Sequence, residues 1–262
     1  MLDYRRHRLP QTSSVVAALR ISDKQLTALE HERPFRYVPC VASRVLNEIQ
    51  TKALLSEVGI PVTWTELART APEAARTAER IGFPVALKIV SPDIVHKSDV
   101  GGVRLGLASP QEVVAAFEDI MQSARRAQPA ACLDGVAVQR MAPAGGVEVI
   151  VGVSVDAQFG HVIMCGLGGV LVEVLQDVSF RLIPLQRRDA RQMLSELRGR
   201  RLLEGVRGHP AADVQALEDL FLRVSGLIEQ RPDIRELDLN PVLAYPDGVL
   251  AVDARALIEE AP

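Results

Sequence analysis

The chain has 262 residues, 48% of them hydrophobic and 24% charged, which is room for one large domain or two medium ones with a sizeable core. A formal net charge of −3 leaves no strong basic excess, so nothing in the composition points to a nucleic-acid partner. An aromatic share of 4% leaves few side chains on which bases could stack.

Taken in chain order, the N-terminus MLDYRRHRLPQ carries basic residues but no apolar stretch behind them, so it does not have the form of a signal peptide. Residues 1–42 have weak periodicity and close with Pro34 and Pro39. They are expected to be an extension or linker, with a docking arm for a partner subunit as the alternative. From Ser43 onward, Val45, Leu46, Ile49, Ala53, Leu54 and Val58 recur at helical spacing, and Gly59 and Pro61 stop the helix. A strand over Val62–Leu67 and a helix from Pro72 to Ile81 follow, the proline suiting a first turn whose N–H would be unpaired. The sequence Pro84-Val-Ala-Leu-Lys-Ile-Val90 reads as a buried strand. It leads into a polar loop, Ser91 to Gly102, a strand over 103–107 and a long helix over 110–127.

Strands are expected at 135–141, 147–155 and 161–167, helices at 188–197 and 211–230, and two last strands at 236–244 and 249–253. Strands and helices interleave, with several strands adjacent near the middle, so the fold class is α+β or α/β with mixed sheets. The break Ala142-Pro-Ala-Gly-Gly146 marks the expected junction of two lobes, over residues 43–141 and 142–262. No run of about 18 apolar residues is present, so no membrane span is expected. Cys40, Cys132 and Cys165 are odd in number and widely spaced, which fits neither a disulfide framework nor a metal site. They are read as reduced, in keeping with a cytoplasmic location.

Three constellations could carry chemistry. Lys88 lies among Val85, Leu87, Ile89 and Val90, and a buried ammonium needs a negative partner, either a phosphate or a neighbouring carboxylate. His96, Lys97 and Ser98 add donors, and Gly101-Gly102 could bring backbone N–H groups close to an anion. The spacing is neither a P-loop nor a dinucleotide fingerprint. Near the C-terminus, Glu236, Asp238 and Asn240 share one face of a strand while Leu237 and Leu239 face the core, and Asp253 is placed on the next strand. Such oxygen ligands suit Mg2+, or else form a solvated polar face. Finally, Gln139-Arg140-Met141 followed by Glu148 could offer an edge for a purine and an acceptor for ribose hydroxyls, or could be a plain amphipathic hairpin.

Together, the strings GFPVALKIVSPDIVHKSDVGGVRLGL, VAVQRMAPAGGVEVIVGVSVDAQFG, GLGGVLVEVLQDVSFRLIPL and ELDLNPVLAYPDGVLAVDA resemble the ATP-grasp family. The resemblance is to the version found in NDP-forming acyl-CoA synthetases such as the beta subunit of ADP-forming acetate–CoA ligase, and more distantly succinyl-CoA synthetase. The resemblance runs from about Ser43 to Ala256. It implies an ATP-grasp fold with the nucleotide between two lobes, and ATP or ADP and Mg2+ as ligands. By motif position, Lys88 would hold phosphates with Lys97, Gly101 and Gly102, and Gln139, Arg140 and Met141 would line the adenine pocket. Glu148 would bind the sugar, and Asn240 and Asp253, with Asp238, would ligate the metal.

His96 would be the catalytic residue, a carrier passing a phosphoryl group between the nucleotide and a CoA-binding partner. A neutral imidazole is a competent nucleophile for this. The overall reaction would be acid, CoA and ATP giving acyl-CoA, ADP and phosphate. Because no CoA-binding Rossmann segment is recognisable, an alpha-like subunit or domain is expected to bind the acid and CoA, within a hetero- or homo-oligomer. The alternatives are a nucleotide-sensing module without catalysis and an ATP-grasp carboxylate–amine ligase. The family pattern has proline, and often phenylalanine, where this chain has His161 and Cys165, and neither residue is given a role.

Overall fold

The computed structural model describes residues 43–94, 96–168, 177–206 and 210–260. The extension expected at 1–42 lies outside the described residues, as do residues 169–176, from the last glycine of GLGG onward.

Two sheets carry the fold, and every ladder within them is antiparallel, so the mixed sheets expected from the interleaved order are not seen. The smaller sheet has the order β2-β5-β3-β4, built from β2 (Thr65–Ala68), β3 (Val85–Val90), β4 (Val103–Leu107) and β5 (Gly135–Arg140). Helices α2 (Ala71–Ile81) and α3 (Pro110–Ala127) cover one face of it. Each helix begins where its sequence stops competing for extended structure. Thr70 and Ser109 accept from the N–H groups of Glu73 and Glu112, satisfying donors that the first turn leaves open.

The larger sheet runs β1-β11-β9-β6-β7-β8, from β1 (Ser43–Leu46), β6 (Val147–Asp156), β7 (Gly160–Leu167), β8 (Val178–Leu182), β9 (Ile234–Tyr245) and β11 (Ala254–Glu259). The short β10 (Gly248–Ala251) returns on β9 as a hairpin. Helices α1 (Glu48–Glu57), α4 (Arg187–Glu196) and α5 (Val214–Gln230) pack on this sheet. Val45 and Leu46, read as helical from their spacing, are instead in β1, which pairs with β11. The helix begins only after Asn47, whose side chain accepts from Gln50 N–H while the Gln50 side chain accepts from Asn47 N–H. Strands β8 and β11 were not anticipated.

The larger sheet is therefore assembled from both ends of the described chain. β1 and α1 precede the smaller sheet in sequence but share the larger core, with Leu46, Leu54, Leu55 and Ile60 packed among residues such as Leu237, Leu239 and Ala256. The lobe boundary expected at Ser43 does not coincide with this division, because β1 covers the edge of β11 that would otherwise be open. The passage from β5 to β6 runs through Ala142–Gly146, where the Tyr245 hydroxyl donates to the Pro143 carbonyl at 2.7 Å.

Strand alternation positions the site. Val85, Leu87 and Ile89 of β3, with Val136 and Val138 of β5, face α2 and α3. Ala86, Lys88, Ala137 and Gln139 have the opposite parity, so Lys88 and Gln139 project from the smaller sheet toward α1 and the β10–β11 turn, flanked by two small alanines.

Candidate functional site

Lys88 is 7% exposed, and its negative partners in this structure are carboxylates. Its ammonium donates to Glu48 Oε1 at 2.9 Å and to Asp253 Oδ2 at 3.2 Å. Lys97 reaches the same two acids from the polar loop, at 2.6 Å to Glu48 Oε2 and at 3.3 and 3.4 Å to the Asp253 oxygens. Lys52, one turn along α1, donates to Glu48 Oε1 at 2.7 Å, to Thr63 and Thr65 hydroxyls at 2.7 and 2.9 Å and to Gln139 Oε1 at 3.1 Å. Three ammonium groups and two carboxylates thus meet where α1, the smaller sheet, the loop and the β10–β11 turn come together.

The charges tune one another. Burial would raise the Glu48 carboxyl, but Lys88, Lys97 and Lys52 outweigh it and hold Glu48 well below the usual carboxylate range. Burial pulls Lys52 down to about 8 despite the support of Glu48, with Lys88 adding like-charge repulsion. Burial also works against Lys97, yet Asp253 and Glu48 raise it above its ordinary value. An excess of positive charge in a partly desolvated cluster suits a polyphosphate, whose oxygens can take the place of the carboxylates on the lysines.

The polar loop is closed by its own turn. Gly101 N–H donates to the Ser98 carbonyl at 3.0 Å and Gly102 N–H to the Lys97 carbonyl at 2.8 Å. These amides are therefore committed within the loop and do not form the anion cradle that the sequence suggested. The glycines have a different structural reason. Gly101 takes a φ of 65°, and a Cβ on Gly102 would lie 2.5 Å from Ile89 Cγ2 and 2.8 Å from the Lys97 carbonyl oxygen. His96 is exposed and immediately precedes Lys97, whose ammonium is anchored in the cluster.

At the carboxylate end, the expected alternation of β9 is present, with Leu237 and Leu239 buried and Glu236, Asp238 and Asn240 on the other face. Asp253 lies in the turn between β10 and β11 and not on a strand. It still stands opposite Asn240, whose N–H donates to the Asp253 carbonyl at 3.2 Å. Burial, then Asp253 and Glu236, push the Asp238 carboxyl up to about 7, with Arg255 opposing. Asp238 Oδ1 is buried without a hydrogen-bond partner.

An orphaned carboxylate oxygen beside a second carboxylate is a place that a hard cation would satisfy, so Asp238, Asp253 and the Asn240 amide fit Mg2+. Among the described residues no group of three or more His, Cys, Asp or Glu side chains forms a metal cage.

Gln139 is 2% exposed and bound to Lys52, while Arg140 N–H donates to the Trp64 carbonyl and Met141 N–H to the Pro84 carbonyl. Glu148 is exposed at the start of β6, and its carbonyl accepts from Gly168 N–H at 2.7 Å. The structure therefore brings together Lys88, Lys97, Asp253 and, through Lys52, Gln139. Arg140, Met141 and Glu148 stand along the β5–β6 passage instead. Glu48 and Lys52 were missed. Their signal was the i,i+4 acid–base pair at the start of a helix, a pattern that usually marks a solvated face.

A family model described as an ATP-grasp domain matches residues 41–258. The sequence is 45% identical over 216 residues to the acetate–CoA ligase [ADP-forming] I subunit beta of Pyrococcus furiosus, covering 82% of this chain and 93% of that one. Among solved structures it matches the dinucleotide-forming acetyl-coenzyme A synthetase 1 of Ca. Korarchaeum cryptofilum in complex with coenzyme A, Ca-AMPCP and HgCl+. The TM-score is 0.80 at 46% identity, over 82% of this chain and 94% of that one. Another structure of that synthetase contains coenzyme A and Mg-AMPPCP, with its phosphohistidine segment pointing towards the nucleotide binding site. It matches with a TM-score of 0.72 at 44% identity, over 82% and 93% of the two chains.

Proposed function

The chain belongs to the ATP-grasp family, and on that premise we propose that it is the ATP-binding, phosphoryl-transferring component of an ADP-forming acyl-CoA synthetase. The overall reaction converts a carboxylic acid, CoA and ATP to acyl-CoA, ADP and phosphate. The observation that carries this reading is the convergence of Lys88 and Lys97 on Asp253, with an exposed histidine next to Lys97 in sequence, in a chain similar to a ligase beta subunit.

Each residue then has a task. Lys88 is fixed on a central strand and takes phosphate oxygens in exchange for its carboxylate partners, while Gln139, Arg140 and Met141 line the adenine side and Glu148 receives the ribose. Asn240, Asp253 and Asp238 would hold Mg2+, which supplies charge neutralisation to the phosphates. His96 attacks the γ-phosphorus through a ring nitrogen. A nitrogen–phosphorus bond forms as the bond to the β-phosphate oxygen breaks, and ADP leaves with that electron pair. Lys97 offsets charge on the transferring group. The reverse step returns the phosphoryl group to ADP.

Thioester formation needs a CoA-binding alpha-like subunit or domain, which we expect to bind the acid and CoA, within a cytoplasmic hetero- or homo-oligomer that contains this chain. No helix among the described residues is long and apolar enough to cross a membrane.

The test is to incubate the chain with γ-labelled ATP and Mg2+ and to look for acid-labile, base-stable label. Label present in the wild type and absent in H96A supports the carrier role. ATP binding without any such label overturns it.

A further inference from the structure

Glu48 belongs to none of the motifs that carry the proposed reaction, yet three lysines converge on it. Its side chain is 3% exposed, and both oxygens are fully engaged: Oε1 accepts from Lys52 and Lys88, and Oε2 accepts from Lys97 at 2.6 Å. The three donors have different origins. Lys52 is on the same helix, Lys88 on the smaller sheet and Lys97 on the loop that bears His96. Asp253 meets Lys88 and Lys97 as well, but at 3.2 to 3.4 Å and with 30% of its side chain exposed.

The frame behind Glu48 is rigid. It is the first residue of α1 after the reciprocal Asn47–Gln50 cap, where a carboxylate is favoured by the helix dipole. Leu54 and Leu55 fix the same helix in the larger core. The Glu48–Lys97 ion pair is thus a short, part-buried tie between that core and the His96 loop. The loop's own turn, with Gly102 N–H on the Lys97 carbonyl, extends the constraint from the Lys97 side chain to its backbone.

We propose that Glu48 is a positioning residue for phosphoryl transfer, docking the His96 loop through Lys97. It acts through the lysines and touches no reacting atom. The inference rests on the carrier reading above. It assigns to α1 the task of keeping the loop in place when a nucleotide phosphate draws Lys88 away from its carboxylates.

The experiment uses the full chain as wild type, E48Q, E48D, K97M and the E48Q/K97M double variant. Three quantities are read: amide exchange at Gly101 and Gly102, the ADP dissociation constant, and the rate of His96 labelling from γ-labelled ATP. E48Q is expected to speed exchange and slow labelling by about tenfold or more while ADP affinity stays within about threefold. E48D should recover part of the labelling rate. The double variant should be no slower than the slower single one, because both changes break one tie.

Labelling and ADP affinity falling together, with E48D no better than E48Q, would overturn the proposal, as would additive effects of E48Q and K97M. Should E48Q not fold, the same cycle built on E48D and K97M decides the matter in the same way. A wild type that binds ADP but acquires no label refutes the carrier reading alone. Exchange at Gly101 and Gly102 then still decides whether Glu48 docks the loop.

Discussion

Lys52 offers the sharpest test of the charge cluster, because its burial sets a pH dependence opposite to that of an ordinary paired lysine. The ammonium is held by Glu48, Thr63, Thr65 and Gln139, yet burial lowers its pKa from 10.5 to about 8. Between these values the unfolded chain binds the proton that the folded chain has released, so stability rises with pH across that window. The contribution is fully present above the unfolded value and is lost as the pH falls through about 8. A shift of this size corresponds to about 3 kcal/mol in all.

Other groups titrate in the same range and must be cancelled. Burial raises the Cys165 thiol and the Tyr245 hydroxyl, so each favours the folded state less as the pH climbs past its unfolded value. The quantity to measure is therefore the difference in urea-unfolding free energy between wild type and K52M, at several pH values from 7 to 10. Any constant cost of removing the side chain drops out of the slope. The difference should move in favour of the wild type by about 2 kcal/mol between pH 8 and 9.5. A flat difference, or one that moves against the wild type, would refute the idea that Lys52 is a strained buried cation.

Asp238 should behave in the mirror sense. Its carboxyl is raised to about 7, so its contribution to stability is present at low pH and lost as the pH rises towards that value. D238N should be more stable than wild type at pH 7.5 by an amount on the order of 2–3 kcal/mol beyond any advantage at pH 4.5, measured by denaturant unfolding. D253N removes the carboxylate shared by Lys88, Lys97 and the expected metal. His96 labelling with Mg2+ should fall by about a hundredfold or more while the chain remains folded by circular dichroism. G102A forces a Cβ against Ile89 and the Lys97 carbonyl, which should cost about 1–3 kcal/mol in thermal unfolding and slow labelling as the turn shifts.

Much of this site could be read from local pattern. Lys88 stands out because an ammonium inside Val85–Val90 demands a partner, and the alternation of Glu236 to Leu239 assigns faces without any knowledge of the sheet. The elements that escaped are those whose signal is short or is completed elsewhere. β1 is four residues long and runs straight into a helix whose apolar spacing absorbs Val45 and Leu46. β11 alternates Ala254, Ala256 and Ile258 inward, but two alanines give the pattern little contrast.

Glu48 and Lys52 were hidden for a stronger reason. On an isolated helix they are an ordinary i,i+4 pair, and nothing local to α1 reveals that a second sheet will bury them. Their burial is created by β1 crossing to β11, which turns α1 so that one side enters the larger core through Leu54 and Leu55 while the other meets Lys88 and Gln139. The acceptor for Lys88 was thus forty residues upstream, in a segment whose sequence signals only a helix. That is where the reading of the loop changes: its glycines close a turn, and the charge that steadies its lysine comes from a helix of the opposite sheet.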